Sequence, residues 1–249
     1  MYGEIACENK TRVCFSTLLL LRLFVMLESG GTEEADFALR CPFNLICAGP
    51  TNSGKTTFVA NLCRHRNDIF DTPSEKVYWF FKADQPAYER LKRESKDYVF
   101  IRELPTEQWL EQHRDEMGAN PTVVFDDMGN EVGEDVRNMF QIRSHHMNIN
   151  FVLICHNLFA KNKVNRDLSL NAGYIVLMKN PRDRTTISNF GRQFAPGRSG
   201  DITSIYDEAT REPHSYLFVD LRQETSDDHR LRSNLFFERD TPMSVFSLK

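Results

Sequence analysis

From Pro42 onward, short and nearly continuous apolar runs alternate with stretches in which apolar residues recur at helical spacing. The runs are FNLICA at Phe43–Ala48, VYWFF at Val77–Phe81, YVFI at Tyr98–Ile101, TVVF at Thr122–Phe125, FVLIC at Phe151–Cys155, YIVLM at Tyr174–Met178 and YLFVD at Tyr216–Asp220. All are short and rich in β-branched or aromatic residues, and they read as strands. A strand buried on one face only would alternate apolar with polar positions. These runs do not, so both faces must be covered, and the expected fold is α/β with a mainly parallel central sheet flanked by helices. Helices are expected at Thr56–Arg66, opening at the end of a Gly-rich loop, at Thr106–Met117 with Thr106 as N-cap, at Asp135–Arg143, and at Arg184–Phe194 and Asp201–Ala209. This pattern assigns one α/β domain to residues 41–222. An N-terminal extension and linker precede it (1–40). A polar C-terminal arm follows (223–249), broken only by LFF at Leu235–Phe237.

The extension carries the apolar segment FSTLLLLRLFVML at Phe15–Leu27. A membrane-spanning helix needs about 20 such residues. Arg22 interrupts this segment, and no small-residue cleavage site follows it cleanly. It therefore reads as an accessory helix packed on the domain, with no stable membrane insertion expected. Translation starting at Met26 is the alternative. ESGGTEEADF at Glu28–Phe37 reads as a linker.

A length of 249 residues suits one sizeable domain, and the apolar (41%) and charged (27%) shares are those of a soluble globular chain. A free-standing DNA clamp is usually strongly basic, and the net charge here is −4. Any contact with DNA would run through a local patch, or through a channel built from several subunits. The six cysteines form no CxxC pair and no zinc-ligand set, as expected of reduced thiols in an intracellular compartment.

The chemistry concentrates in GPTNSGKT at Gly49–Thr56, which fits G-x-x-x-x-G-K-[ST]. An apolar strand precedes it directly and a helix follows it directly, the context that gives the motif meaning. Gly49 and Gly54 permit backbone conformations closed to other residues, so that successive amides can surround a phosphate and the helix can add its N-terminal dipole. The phosphate-binding set is Gly49, Pro50, Thr51, Asn52, Ser53, Gly54, Lys55, Thr56 and Thr57. Lys55 should reach the β- and γ-phosphates of ATP, and the Thr56 hydroxyl should ligate Mg²⁺.

Two further strands end in polar groups that should emerge at the same carboxyl edge of the sheet. TVVFDDM ends in Asp126, placed to hold the Mg²⁺ shell, and Asp127, placed to orient or deprotonate the attacking water. FVLICHN ends in His156 and Asn157, either of which is positioned to sense the γ-phosphate. The His145–His146 pair has no Cys or carboxylate at ligand spacing and reads as a surface pair. Arg166, Arg182, Arg184, Arg192 and Arg198 are candidates for an arginine that reaches a neighbour's γ-phosphate.

Taken together, GPTNSGKT, VVFDDM, RSHHMNINFVLICHNLF, NRDLSLNAGYIVLMKNPRDRTTISNFGRQFAP and DEATREPHSYLFVDLR resemble the packaging ATPases of double-stranded DNA viruses. These belong to the FtsK/HerA class of P-loop NTPases, within the ASCE division. The resemblance spans roughly Pro42 to Phe237. It is closest to the ATPases of Polinton (Maverick) elements and adintoviruses, and more distant to poxvirus-type and adenovirus-type enzymes. It implies a homo-oligomeric ring that threads double-stranded DNA into a preformed capsid, with capsid or portal proteins as partners and the nucleus or virus assembly site as its place of work. By position it makes Lys55 and Thr56 the phosphate and Mg²⁺ residues, Asp126 the Mg²⁺-shell carboxylate and Asp127 the catalytic carboxylate. Asn157 becomes the sensor, with His156 standing where the class commonly has Gln. Arg143, with Arg182 or Arg184, becomes the candidate acting between subunits.

Two other functions fit a P-loop scaffold. A small-molecule kinase would use KNPRDR at Lys179–Arg184 as an arginine-rich lid. A nucleotide switch would bind ATP with negligible turnover, which the paired Asp126–Asp127 argues against.

Overall fold

All seven apolar runs become strands of one sheet. A computed structural model describes residues 10–12, 22–26, 32–126, 133–159, 163–236 and 243–248. The strands are β1 (Lys10–Arg12), β2 (Arg22–Met26), β3 (Thr32–Asp36), β4 (Asn44–Ala48), β5 (Val77–Phe81), β6 (Tyr98–Ile101), β7 (Thr122–Asp126), β8 (Asn150–Cys155), β9 (Tyr174–Met178), β10 (Tyr216–Asp220), β11 (Leu231–Ser233) and β12 (Ser244–Phe246). The helices are α1 (Lys55–Arg64), α2 (Arg66–Ile69), α3 (Pro86–Glu94), α4 (Glu107–His113), α5 (Glu134–Asn138), α6 (Ser144–Met147), α7 (Lys163–Leu170), α8 (Arg184–Phe194) and α9 (Ser199–Ala209). A five-residue π-helical turn, Met139–Arg143, joins α5 to α6 inside what the sequence predicts as a plain helix.

The main sheet has ten strands in the order β1-β12-β11-β10-β9-β4-β8-β7-β5-β6. From β9 to β6 every pairing is parallel. Successive residues of these strands point to opposite faces, and both faces are covered except at the edge strand β6, where Val99 is exposed. Leu45, Cys47, Trp79, Val124 and Val152 meet α1, α2 and α3 on one side. Ile46, Phe80, Phe125, Phe151 and Leu153 meet α4, α5, α7, α8 and α9 on the other. This two-sided burial is the physical reason for the unbroken apolar runs. Full burial of a side chain such as Trp79 or Phe125, both at 0% exposure, contributes about 1.5–3 kcal/mol.

Strand β8 lies between β4 and β7, so the strand before the Gly-rich loop and the strand ending in Asp126 are not neighbours. The connection out of β4 crosses one face through α1, and the one out of β8 crosses the other through α7. Connections that leave to opposite faces open a crevice at the carboxyl edge, where ligands of open α/β sheets bind.

Three differences from the sequence reading have clear causes. Strand β10 is antiparallel to β9, starting at Tyr216 opposite Met178. Two helices, α8 and α9, separate the strands and return the chain to the edge it left. Within the segment expected as an accessory helix, Arg22–Met26 is instead a strand paired antiparallel with Thr32–Asp36, part of the expected linker. A short apolar run does not by itself separate strand from helix, and here a partner strand decides. The rest of Phe15–Leu27 lies outside the described residues. Finally, β11 and β12 from the C-terminal arm extend the main sheet, and β1 pairs with β12.

A buried ionic cluster fastens this added part. Asp220, at the end of β10 and fully buried, accepts from Arg222 at 2.7 Å and from the buried Arg232 of β11 at 2.8 Å. Arg232 also donates to Phe37 O at 3.3 Å and lies over the rings of Phe37 and Phe218. No helix among the described residues is long and apolar enough to cross a membrane.

Candidate nucleotide site

Strand β4 ends at Ala48, and the loop Gly49–Thr56 follows. Gly49 donates its amide to Cys155 O at 3.2 Å, fastening the loop to the end of β8. A Cβ at Gly49 would lie 2.6 Å from Met178 Cβ and 2.8 Å from Ser53 Oγ, so no side chain fits there. Gly54 is required for a different reason: its φ of +100° is left-handed, and it opens α1 from that conformation. Asn52, at φ 62°, is left-handed as well, a state asparagine tolerates better than most residues. Left-handed residues interspersed with right-handed ones build the concave amide nest that binds anions, and the ten-residue α1 adds its dipole. Lys55 is buried, with Nζ donating to Pro50 O at 2.9 Å. Burial pushes the Cys155 thiol beneath the loop up to about 12, so it stays neutral there.

Asp126 ends β7 and is 1% exposed. A carboxylate at that depth needs hydrogen bonds. Its Oδ2 accepts from Tyr88 OH at 2.7 Å, Trp79 Nε1 at 3.2 Å and Thr56 Oγ1 at 3.3 Å. The last of these links the loop to β7 across the end of β8. The pair also fits Mg²⁺, because Thr56 Oγ1 and Asp126 Oδ2 stand side by side, 3.3 Å apart. Thr56 and Asp126 supply the hard oxygen donors that Mg²⁺ takes, and nucleotide and water would complete its shell.

Above these groups opens a cleft of about 970 Å³. Thr51, Asn52, Gly54, Lys55, Thr56 and Thr57 line it together with Asp126 and His156. Gly49, Pro50 and Ser53 form the loop behind them. The two sensor candidates diverge. His156 borders the cleft and also the small cavity beside it, whereas Asn157 lines only the latter. Asn157 turns its Oδ1 to the amide of Phe159 at 2.9 Å and lines a small cavity below the loop with Asn180 and Asp183. Asp127 and the side chain of Arg143 lie outside the described residues. Arg182 is exposed on the turn after β9. Arg184 makes a bidentate pair with Asp207 of α9, and neither arginine lines the cleft of its own chain.

Several lining groups have no motif to announce them. The turn between α9 and β10 contributes Glu212, Pro213 and His214, and beyond β11 come Asn234 and Phe236. His214, itself left-handed at φ 61°, packs its Cβ 3.3 Å from where a Cβ of Gly54 would be. Trp79 and Tyr88 are equally unmarked. Trp79 is one of five apolar residues in VYWFF, and Tyr88 lies on a helix that no sequence signal singled out.

The sheet order, the glycine-hinged loop and the Thr56–Asp126 link define the fold of a P-loop NTPase. No protein-family model matches the chain, and no curated protein matches it by sequence. Solved structures do. The DNA-packaging ATPase B204 of Sulfolobus turreted icosahedral virus superposes with a TM-score of 0.50 and 10% identity, over 75% of this chain and 96% of that one. The genome packaging NTPase B204 of Sulfolobus turreted icosahedral virus 2, in complex with AMP, superposes with a TM-score of 0.50 and 11% identity, over 79% and 98%. At these identities the likeness is one of fold.

Proposed function

We propose that this chain is an ATP hydrolase that moves double-stranded DNA, and that it packages a viral genome into a capsid. The carrying observation is the Thr56–Asp126 contact at 3.3 Å beside a loop shaped for phosphate. In this reading Lys55 would neutralise the β- and γ-phosphates, and Thr56 and Asp126 would hold Mg²⁺, which would supply charge stabilisation to the transferring phosphoryl group. Asp127 prepares the attacking water. Of the two polar residues after β8, His156 borders the cleft, and Asn157 is the residue that the resemblance makes the γ-phosphate sensor.

The packaging role draws on the stretches NPRD, GRQFAP and DEATREPHSYLFVDLR, which resemble FtsK/HerA-class packaging ATPases, nearest those of Polinton elements and adintoviruses. The shared fold of two viral packaging enzymes supports it. Copies would form a ring around duplex DNA, docked on capsid or portal protein in the nucleus or at the assembly site. One of Arg143, Arg182 or Arg184 would reach the neighbouring copy's nucleotide, and for Arg184 that means exchanging its pair with Asp207. A kinase reading is disfavoured because its lid is tied down. Lys179 N donates to Ser215 O, Asn180 Oδ1 accepts from the amides of Arg182 and Asp183, and Asp183 caps α8.

The test is phosphate release by purified protein without any acceptor, with and without linear duplex DNA. Turnover should rise with DNA, fall with added salt as phosphate contacts weaken, and vanish in Lys55→Ala. A rate indifferent to DNA in a protein that stays monomeric with ATP would refute the motor. Transfer that requires an acceptor would establish the kinase instead.

A further inference from the structure

We infer that the segment after β11 completes the nucleotide site by supplying the wall against which the base packs. This rests on the ATPase reading above. The cleft does not stop at the phosphate loop: it continues past Thr57 to Asn61 along α1 and ends against Tyr216 and Phe236. Asn61 lies six residues beyond Lys55, about 9 Å along the helix axis, so the groups follow the order of phosphate, sugar and base. A volume near 970 Å³ sits at the upper end of small-molecule sites and is far more than a triphosphate fills.

The far end has the chemistry of a flat heteroaromatic ligand. Phe58 meets Tyr216 at 4.6 Å between ring centroids and Phe236 at 5.2 Å. Phe58 and Tyr216 are buried in the core, whereas Phe236, stacked on His65 at 6.0 Å between ring centroids, is only partly buried and lines the cleft. Beside the rings stand two carboxamides, Asn61 and Asn234. Asn61 Oδ1 accepts from Arg64, which Glu94 holds at 2.7 Å, so the amide is oriented with Nδ2 left to donate to a ring nitrogen.

The wall is also held in place. Arg232 anchors β11 to Asp220, the chain turns at Asn234 with φ 57°, and Leu235 N donates to Tyr216 OH at 2.8 Å. Tyr216 thus both lines the base end and fixes the segment that delivers Phe236. The ligand class that follows is a nucleoside triphosphate, bound more tightly than bare polyphosphate.

The experiment compares binding of ATP and of inorganic tripolyphosphate, each with Mg²⁺, to the wild-type chain and to Phe236→Ala, Phe236→Tyr and Asn61→Ala. Stacking on an aromatic side chain is worth enough that Phe236→Ala should weaken ATP about tenfold. Tripolyphosphate affinity should not change, Phe236→Tyr should restore ATP binding, and Asn61→Ala should weaken ATP alone. Phe236→Ala that leaves ATP affinity intact, or weakens both ligands equally, overturns the inference. So does a wild-type chain that binds both ligands equally, although the ATPase reading then survives. A wild-type chain that binds neither ligand sinks that reading and this one with it.

Discussion

The hydroxyl of Tyr88 offers a test of Asp126 that leaves the phosphate loop untouched. Tyr88 is 1% exposed on α3 and donates to Asp126 Oδ2 at 2.7 Å. Tyr88→Phe keeps the ring against Phe81 at 4.9 Å and Phe100 at 5.3 Å and deletes only the donor. A hydrogen bond to a charged group contributes about 1.5–3 kcal/mol, against about 1 kcal/mol for a neutral one. The carboxylate is buried, so water cannot replace the lost donor and the charged-group range applies. In a chain of this size each kcal/mol shifts Tm by about 2–4 °C, so the variant should melt about 3–12 °C lower. Bound metal reverses part of this. If Asp126 is the proposed metal carboxylate, Mg²⁺ beside it would stabilise the charge that the Tyr88 hydroxyl otherwise stabilises, so the deficit should shrink with saturating Mg²⁺ and ATP-γ-S. Thermal melts of both proteins, with and without that complex, read the effect. Identical melts without nucleotide would refute the hydrogen bond. A deficit equally large in both conditions would refute Asp126 as a metal carboxylate.

Gly49→Ala should cost about 1–3 kcal/mol by overpacking, since its new methyl would meet Met178 Cβ at 2.6 Å, and nucleotide titration should show ATP affinity falling with the displaced loop. Unchanged ATP affinity in that variant would contradict the assigned loop packing. At Asp220, burial raises the carboxyl pKa, but the Arg222 hydrogen bond and the charges of Arg232 and Arg222 pull it below the ordinary value. The resulting stability is present above the unfolded carboxyl pKa of about 3.9 and is lost as pH falls through the lower folded value. Asp220→Asn should therefore flatten that acid limb in urea titrations. At neutral pH it should cost about 3–5 kcal/mol, because Arg232 loses its buried partner; a cost below about 1 kcal/mol would show that the cluster contributes little.

The sequence revealed what depends on neighbours along the chain. Val77–Phe81, Tyr174–Met178 and Tyr216–Asp220 are strands with the predicted bounds because two-sided burial demands an apolar run, and Tyr98–Ile101 keeps its predicted bounds as the half-exposed edge strand. Thr106 caps α4 through the amide of Trp109 because the cap and its target are three residues apart. The glycine-hinged loop was legible for the same reason. What stayed hidden is long-range. Trp79 and Tyr88 reach Asp126 across 47 and 38 residues, and nothing in VYWFF or PAYERL marks one ring as a donor to a carboxylate. Arg184 was visible as a cation, but its partner Asp207 came within reach only when α8 packed on α9. The direction of β10 likewise depends on where the α8–α9 connection returns the chain, at Tyr216 opposite Met178, which no single run encodes.

The C-terminal segment shows how these limits bear on function. LFF at Leu235–Phe237 stands alone in a polar stretch, and by pattern it belongs to an arm outside the domain. Its meaning comes from Arg232, a charged residue that full exposure would have made cheap to solvate. Buried at 1% exposure, Arg232 must find partners, and it finds them in Asp220, Phe37 O and two rings. That requirement fixes β11 against β10, and the fixed β11 delivers Phe236 to the cleft above α1. A residue with no part in phosphate chemistry thereby holds a wall of the candidate nucleotide cleft, so the stability of the strands added beyond β10 and ligand recognition in the cleft are not independent quantities in this protein.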